Sequence, residues 1–334
     1  MYTGLDNAVP VVSLMIEGMS ISAIKRHTTM HHSTILSLLT VAGDRCERLL
    51  SNRIQNIPCD DVQCDEIWGF VQKQEAHKWP WEAHDDKVGD AYGFVAIERN
   101  LKLVLAHRLG RRSNADTNKF IQDVRRATAS KRSQLTTDGF KPYAKAIAVG
   151  LKDRVDYAQL VKVYTTSHEG ERRYSPPDVV EAVPRAMFGN PDLEKVCTSH
   201  VERQNLTIRM QMRRMTRLTN AFSKKWENLK AAYALHFAYL QLLPGSPDFE
   251  GYACNGGGPC RSPLEHCGVA DRRCLRFGFT STIMRTIHHD EYYDLKRIEG
   301  RRRRVDRLAF SARAGRSNET RTQANGKDHP GRIR

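Results

Sequence analysis

The stretch CDEIWGFV, residues 64–71, is where the chain changes from a helical to a strand-rich pattern. Successive side chains of a β-strand point to opposite faces, and this stretch alternates small or aliphatic residues with aromatic ones. The alternating residues are Ile67, Trp68, Gly69, Phe70 and Val71. We therefore predict a strand that Asp65 opens.

The segments that follow predict the rest of a sheet and its helices. Residues 92–97 and 101–107 flank Glu98-Arg99-Asn100, which favours a hairpin. Further predicted elements are a helix over 113–129, a strand over 135–137 that ends at Asp138, a helix over 141–151, a strand over 155–164 and two long helices within 195–243. This order predicts an α/β domain with a mixed sheet, which we place at residues 60–243.

The N-terminal region, residues 1–50, predicts a small all-α domain. Ser20 can cap one helix, and another follows after a tight turn, which is the spacing of a helix-turn-helix. The later helix would present His32, Ser33 and Ser37 to a DNA major groove. A small helical bundle that contacts no DNA is the alternative interpretation.

The composition favours a nucleic-acid partner. There are 53 lysines and arginines against 38 acidic residues, a formal net charge of +15. Such an excess favours a polyanion, because each neutralised phosphate releases condensed counterions. No apolar run approaches the ~20 residues that a membrane helix needs. We expect a cytoplasmic, nucleoid-associated protein that binds double-stranded DNA and no membrane.

Three acidic residues stand at the ends of separate predicted elements. Asp65 opens a strand, Asp138 ends a later one, and Glu202 lies early in a helix predicted over 199–217. Carboxylates are the ligands that Mg²⁺ or Mn²⁺ prefers, and two ions about 3.5–4 Å apart can activate an attacking oxygen and stabilise a leaving one. Because the chain has 38 acidic residues, three solvated surface groups are the alternative.

The helix that carries Glu202 is rich in arginine. Arg209 follows two turns later and therefore shares its face, while Arg203 and Arg213 add positive charge. Arginines beside a carboxylate suit a site where metal ions and DNA phosphates meet. The alternative is a basic amphipathic helix in which Glu202 pairs with an arginine.

Four stretches of the chain resemble DDE transposases of bacterial insertion sequences, in the group with DEIW, TDG and ERxNxxxR motifs. They are CDEIWGFV (64–71), GDAYGFVAIERNLKLVLAHRLGRRSNADT (89–117), TTDGFKPY (136–143) and TSHVERQNLTIRMQMRRMTRLTNAFSKKWEN (198–228). The similarity extends from about residue 10 to residue 239. It implies a ribonuclease-H-like fold, with helices packed on a mixed sheet, preceded by the helix-turn-helix domain.

The resemblance also implies a site and a reaction. Asp65, Asp138 and Glu202 match the metal-binding triad of the family, Arg209 matches its later basic residue, and Asn205 matches the polar position between Glu202 and Arg209. The implied reaction uses two Mg²⁺ or Mn²⁺ ions to cleave DNA at the element ends and to join the freed 3′-hydroxyl to target DNA. We expect a homo-oligomer on DNA.

The residue after Asp65 in the DEIW motif is Glu66, which is not one of the three ligands in the family. Neighbouring positions of a strand face opposite sides of a sheet. We therefore expect the side chain of Glu66 to point away from the carboxylate site.

The similarity to the family stops at residue 239, where a changed reading frame offers an explanation. Related sequences continue into a segment like YNFCRxHxTLRxTPAM. Synonymous codons can be chosen for residues 241–260 such that the same nucleotides, read one position later, encode NFCRVHQTLRVTPAMEAGL. We therefore interpret residues 244–334 as a disordered, out-of-frame tail that could inactivate the enzyme. A zinc site or a basic nucleic-acid arm in this segment is the alternative.

A second function belongs to a different class of protein. The helix-turn-helix could act without catalysis and occupy element ends as a repressor of transposition. Metal-dependent nicking of end DNA distinguishes the two functions, because a repressor binds without cleaving.

Overall fold

The computed structural model describes residues 4–164, 179–216 and 220–242. Six strands form one sheet in the order β3-β2-β1-β4-β5-β6. The strands are β1 (Asp61–Val71), β2 (Gly89–Glu98), β3 (Val104–Gly110), β4 (Ser133–Asp138), β5 (Val155–Tyr164) and β6 (Val179–Phe188). Within the described ranges, no helix is both long and apolar enough to cross a membrane.

The sheet is mixed. Strands β1, β4 and β5 run parallel to one another, whereas β2, β3 and β6 are antiparallel to their neighbours. Parallel neighbours need crossover connections, and the helices α4 (Asn114–Ala127) and α5 (Lys141–Gly150) lie between β3, β4 and β5 in the chain. This mixed α/β arrangement is compatible with the ribonuclease-H-like fold that the resemblance implies.

Helices cover both faces of the sheet, as adjacent residues of β2 show. The ring of Phe94 packs on Phe120 of α4, with 5.3 Å between the ring centroids. The opposite face at Gly93 lies against Tyr233 of α7 (Trp226–Leu242), whose hydroxyl oxygen would lie 2.4 Å from an added Cβ. Glycine at position 93 therefore allows α7 to approach the strand closely.

Three helices form the N-terminal region: α1 (Leu5–Ile16), α2 (Ile21–Thr28) and α3 (His32–Arg53). The prediction that Ser20 caps a helix is confirmed, because its side-chain oxygen accepts a hydrogen bond from the amide of Ala23. The three helices share a small apolar core of Val11, Ile24 and Ile35.

The long helix α3 also packs along α7 of the α/β region. An added Cβ at Gly43 would lie 2.4 Å from the Cα of Ala231, so the two backbones approach closely at this point. Lys230 and Glu47 add an ion pair of 2.8 Å between the same helices. The N-terminal helices are therefore attached to the sheet region through α3.

Several predicted boundaries were wrong. The first strand begins at Asp61 rather than Asp65, and β3 runs over Val104–Gly110 rather than 101–107. The helix that carries Glu202, α6 (Ser199–Gln211), ends well before residue 217, and a short 3-10 turn follows at Arg213–Met215. Strand β6 had no counterpart among the predicted elements. The predicted disordered tail, residues 244–334, lies outside the described residues.

Candidate metal-binding cleft

A cleft opens where β1 extends beyond the end of β4. The last paired residues of the two strands are Cys64 and Thr137, whereas β1 continues along β2 as far as Phe70. Asp138 ends β4 next to this opening, and α6 crosses it. The residues that line the cleft are Asp65, Glu66, Ile67, Trp68, Tyr92, Arg112, Asp138, Glu202, Asn205, Leu206 and Arg209.

Asp65 is the central carboxylate of the cleft. The side-chain amide of Asn205, on α6, donates a hydrogen bond of 2.9 Å to its Oδ2. Burial and then the negative charge of Asp138 raise the pKa of Asp65 to about 7, with a smaller contribution from Glu202. The carboxylate is therefore held in place by α6 but lacks enough positive charge to favour its ionised form.

Asp138 lies at the end of β4, where the backbone turns towards α5. Its Oδ1 accepts a hydrogen bond of 3.1 Å from the amide of Phe140, which fixes the carboxylate at the strand end. Burial raises the pKa of Asp138, while this amide and the guanidinium of Arg112 oppose the shift. Burial in the cleft therefore raises the pKa of Asp138, as it does that of Asp65.

Glu202 lies in the first turn of α6 and faces the cleft from the other side. Its side chain is 43% exposed and forms an ion pair with Lys162 of β5. The hydroxyl of Thr198 donates a hydrogen bond to the same carboxylate oxygen, Oε1. The structure thus brings the three predicted carboxylates into one cleft, with Glu202 the one that a lysine neutralises directly.

The expectation that Glu66 points away from the cleft was wrong. Three carboxylate oxygens, one from each of Asp65, Glu66 and Asp138, lie within 4.8 Å of one another. Strand β4 ends at Asp138, so no strand separates the Glu66 side chain from the cleft on that side. Burial and then the charge of Asp138 raise the pKa of Glu66 to about 8.

Arg112 is a cleft residue that the sequence reasoning did not single out. Its guanidinium lies 4.2 Å from the ring centroid of Phe140 and forms ion pairs with Glu66 at 3.5 Å and Asp138 at 3.9 Å. The ring fixes the side chain through a cation–π contact. Arg112 lies within the GRRSNADT segment of the family resemblance, which was the available signal.

The other predicted site residues differ in their positions. Arg209 donates hydrogen bonds to the backbone carbonyls of Met215 (2.8 Å) and Trp68 (3.2 Å), so it joins the end of α6 to β1 at the cleft wall. Arg203 and Arg213 are exposed on α6 and the turn after it. On α3, outside the residues that line the cleft, Ser33 and Ser37 are exposed and His32 is half-buried.

The donor set of the cleft fits a hard divalent cation. The clustered groups are carboxylates, and oxygen ligands are what Mg²⁺ and Mn²⁺ prefer. Two buried oxygens in the lining, Oε1 of Glu66 and Oδ1 of Asn205, accept no hydrogen bond within the described part of the chain. A cation would satisfy such acceptors and would offset the repulsion that raises the pKa of Asp65 and Glu66.

Comparison with solved structures gives only distant likenesses. The chain is similar to a solved cryo-EM structure of the piggyBac transposase synaptic complex with hairpin DNA, at 12% sequence identity and a TM-score of 0.37. The similar region covers 86% of this chain and 73% of that chain. No protein-family model matches the chain, and no curated protein matches it.

Proposed function

We propose that the chain is a DDE transposase of the insertion-sequence type, which cleaves DNA at element ends and transfers the freed strand to target DNA. The observation that carries the proposal is the meeting of three carboxylates from distant parts of the sequence in one cleft. Asp65, Asp138 and Glu202 come from β1, β4 and α6, and each belongs to a different motif of the resemblance.

The residues of the cleft suit phosphodiester chemistry. Asp65 and Asp138 would hold divalent cations together with Glu202, and such ions lower the pKa of an attacking water or 3′-hydroxyl and stabilise the leaving oxygen. Asn205 orients Asp65 through its 2.9 Å hydrogen bond. Arg112 places a guanidinium at the cleft, where it can contact a phosphate of the bound strand.

The N-terminal helices supply a surface for DNA in this proposal. Ser33 and Ser37 are exposed one turn apart on α3, and Ser33 lies in its first turn. Residues near the start of a recognition helix are those that contact base edges in a helix-turn-helix. We assign residues 1–50 to binding of element ends and residues 60–243 to catalysis.

The test is cleavage of the DNA that flanks the gene on either side, with Mg²⁺ or Mn²⁺ and the full-length protein. We expect metal-dependent strand cleavage that releases a 3′-hydroxyl. The variant Asp138→Asn should bind the same DNA as tightly but should not cleave it, because it removes a ligand with little change in shape. Asp44→Asn, an exposed change on α3, is the matched control.

Binding without cleavage by the unaltered protein would contradict the enzymatic proposal. That outcome would instead support the second function, a non-catalytic repressor that occupies element ends. Cleavage that persists in Asp138→Asn would show that the chemistry takes place elsewhere.

A further inference from the structure

Glu66 is among the least exposed charged side chains at the cleft. Only 3% of its side-chain surface is accessible to solvent. Its Oε2 lies 3.5 Å from the guanidinium of Arg112, whereas Oε1 accepts no hydrogen bond from any residue that the structure describes. The hydroxyl of Tyr143 interacts with Glu66 and lowers the pKa of that carboxyl, but its geometry falls short of a hydrogen bond. A buried carboxylate oxygen without a donor is unfavourable unless another positive group binds it.

The spacing of the acidic oxygens indicates what that group is. Oxygens of Asp65, Glu66 and Asp138 lie within 4.8 Å of one another. Ligand oxygens of an octahedral ion with bonds of about 2.1 Å lie about 3–4 Å apart, so a small closure would bring all three onto one ion. Glu202 is not a member of this group of three.

Glu202 differs from Glu66 in its environment. Its side chain is 43% exposed, and its Oε1 already receives an ion pair from Lys162 and a hydrogen bond from Thr198. A cation that binds Oε1 of Glu202 has to compete with the lysine. Glu66 presents a free buried oxygen instead, and its partner Arg112 is held at the longer distance of 3.5 Å.

We propose that Glu66 is a direct ligand of a divalent cation, and that Asp65, Glu66 and Asp138 form the cation site of the protein before DNA binds. Glu202 joins at a later stage, when Lys162 is displaced. The proposal rests on the proposed function for the identity of the cleft, and it adds a fourth carboxylate to the three of the resemblance. It also assigns Arg112 a role in the metal-free protein, in which its guanidinium neutralises Glu66 until a cation replaces it.

The test is Mn²⁺ binding to the full-length protein without DNA, measured by electron paramagnetic resonance and by calorimetry. Glu66→Gln should weaken binding at least tenfold, whereas Glu202→Gln should change it less than threefold. Glu66→Asp keeps the charge but shortens the side chain by one methylene, which moves the carboxylate away from the cation, so it should also weaken binding. Glu194→Gln, an exposed change, is the matched control. Melting temperatures of the metal-free variants would show whether each of them folds.

Three outcomes would overturn the inference. The first is a Glu66→Gln variant that folds and binds Mn²⁺ as the unaltered protein does, and the second is an unaltered protein that binds none. The third concerns Arg112, because a direct role of Glu66 as a ligand predicts that Arg112→Gln leaves Mn²⁺ binding unchanged or tightens it. If Arg112→Gln weakens binding as much as Glu66→Gln, then Glu66 acts only by positioning the arginine.

The proposed function and the proposed role of Glu66 can be refuted independently of each other. If the unaltered protein cleaves end DNA while Glu66→Gln binds Mn²⁺ normally, the transposase function stands and the role of Glu66 is refuted. If Mn²⁺ binding depends on Glu66 but the protein cleaves no DNA, the cation site stands and the proposed function is refuted.

Discussion

Replacing Asp65 with Asn should stabilise the metal-free protein, and the gain should increase with pH. The pKa of Asp65 is raised from its ordinary value of 3.8 to about 7, mainly by burial. Its ionised form is therefore disfavoured in the folded state. The stability that its neutral form contributes is fully present below pH 3.8 and is lost as the pH rises to about 7. Asn has nearly the same shape, can still accept the hydrogen bond from Asn205, and does not ionise.

The size of the effect follows from the shift in pKa. One pKa unit corresponds to about 1.4 kcal/mol, so the folded state loses about 2 kcal/mol from Asp65 by pH 5 and about 4 kcal/mol by pH 8. The free energy of unfolding of Asp65→Asn should thus exceed that of the unaltered protein by about 2–3 kcal/mol more at pH 8 than at pH 5.

Urea denaturation in the presence of EDTA measures this difference at each pH. Asp44→Asn, at an exposed position on α3, is the control and should show no pH-dependent gain. Added Mn²⁺ should then stabilise the unaltered protein and not Asp65→Asn, because a ligand of the folded state raises the free energy of unfolding. A gain that is absent at pH 8, or equal at both pH values, would refute the conclusion that Asp65 lies in a cluster short of positive charge.

Three further predictions concern other parts of the molecule. Lys162→Met should tighten Mn²⁺ binding several-fold in calorimetry, because the lysine competes for Glu202; weaker binding would contradict this role. Ser33→Ala should weaken binding to element-end DNA by about 1–3 kcal/mol in fluorescence anisotropy, and equal loss on random DNA would show that α3 does not read sequence. Gly43→Ala should lower the free energy of unfolding by about 1–3 kcal/mol, since its Cβ would overlap Ala231; an unchanged value would contradict the close packing of α3 on α7.

The sequence predicted most of the sheet because its strands bury one or both faces. The strand predicted over 155–164 was confirmed at both ends, and the one containing Asp65 was placed correctly but begins four residues earlier. Strand β6 was not predicted from the sequence, and there is a physical reason for this. It is an edge strand with almost every residue exposed, and it contains Pro184, which is tolerated at edges but argues against a central strand.

The cleft was less predictable than the sheet. The alternation of side chains along a strand predicts that Glu66 and Asp65 lie on opposite faces of the sheet. Only the register of β1 with β4 shows that this pairing stops at Cys64, so β4 does not lie between Glu66 and the cleft. Apart from the family resemblance that covers Arg112, nothing in the sequence distinguishes Arg112 and Lys162 from the other basic residues, because their importance comes from tertiary neighbours. Arg112 packs on the aromatic ring of Phe140, and Lys162 forms an ion pair with the carboxylate of Glu202.

The two basic residues explain how so many carboxylates can be held together in the folded protein without metal. Arg112 lies against Glu66 and Asp138, and Lys162 lies against Glu202, so carboxylates on both sides of the cleft have a cationic partner. In the proposed function, cations that enter the cleft compete with both side chains and release them. A guanidinium and an ammonium freed in this way would be available to bind phosphates of DNA. Metal binding and DNA binding would therefore favour each other, and the order of events would be cation first at Asp65 and Glu66, then DNA.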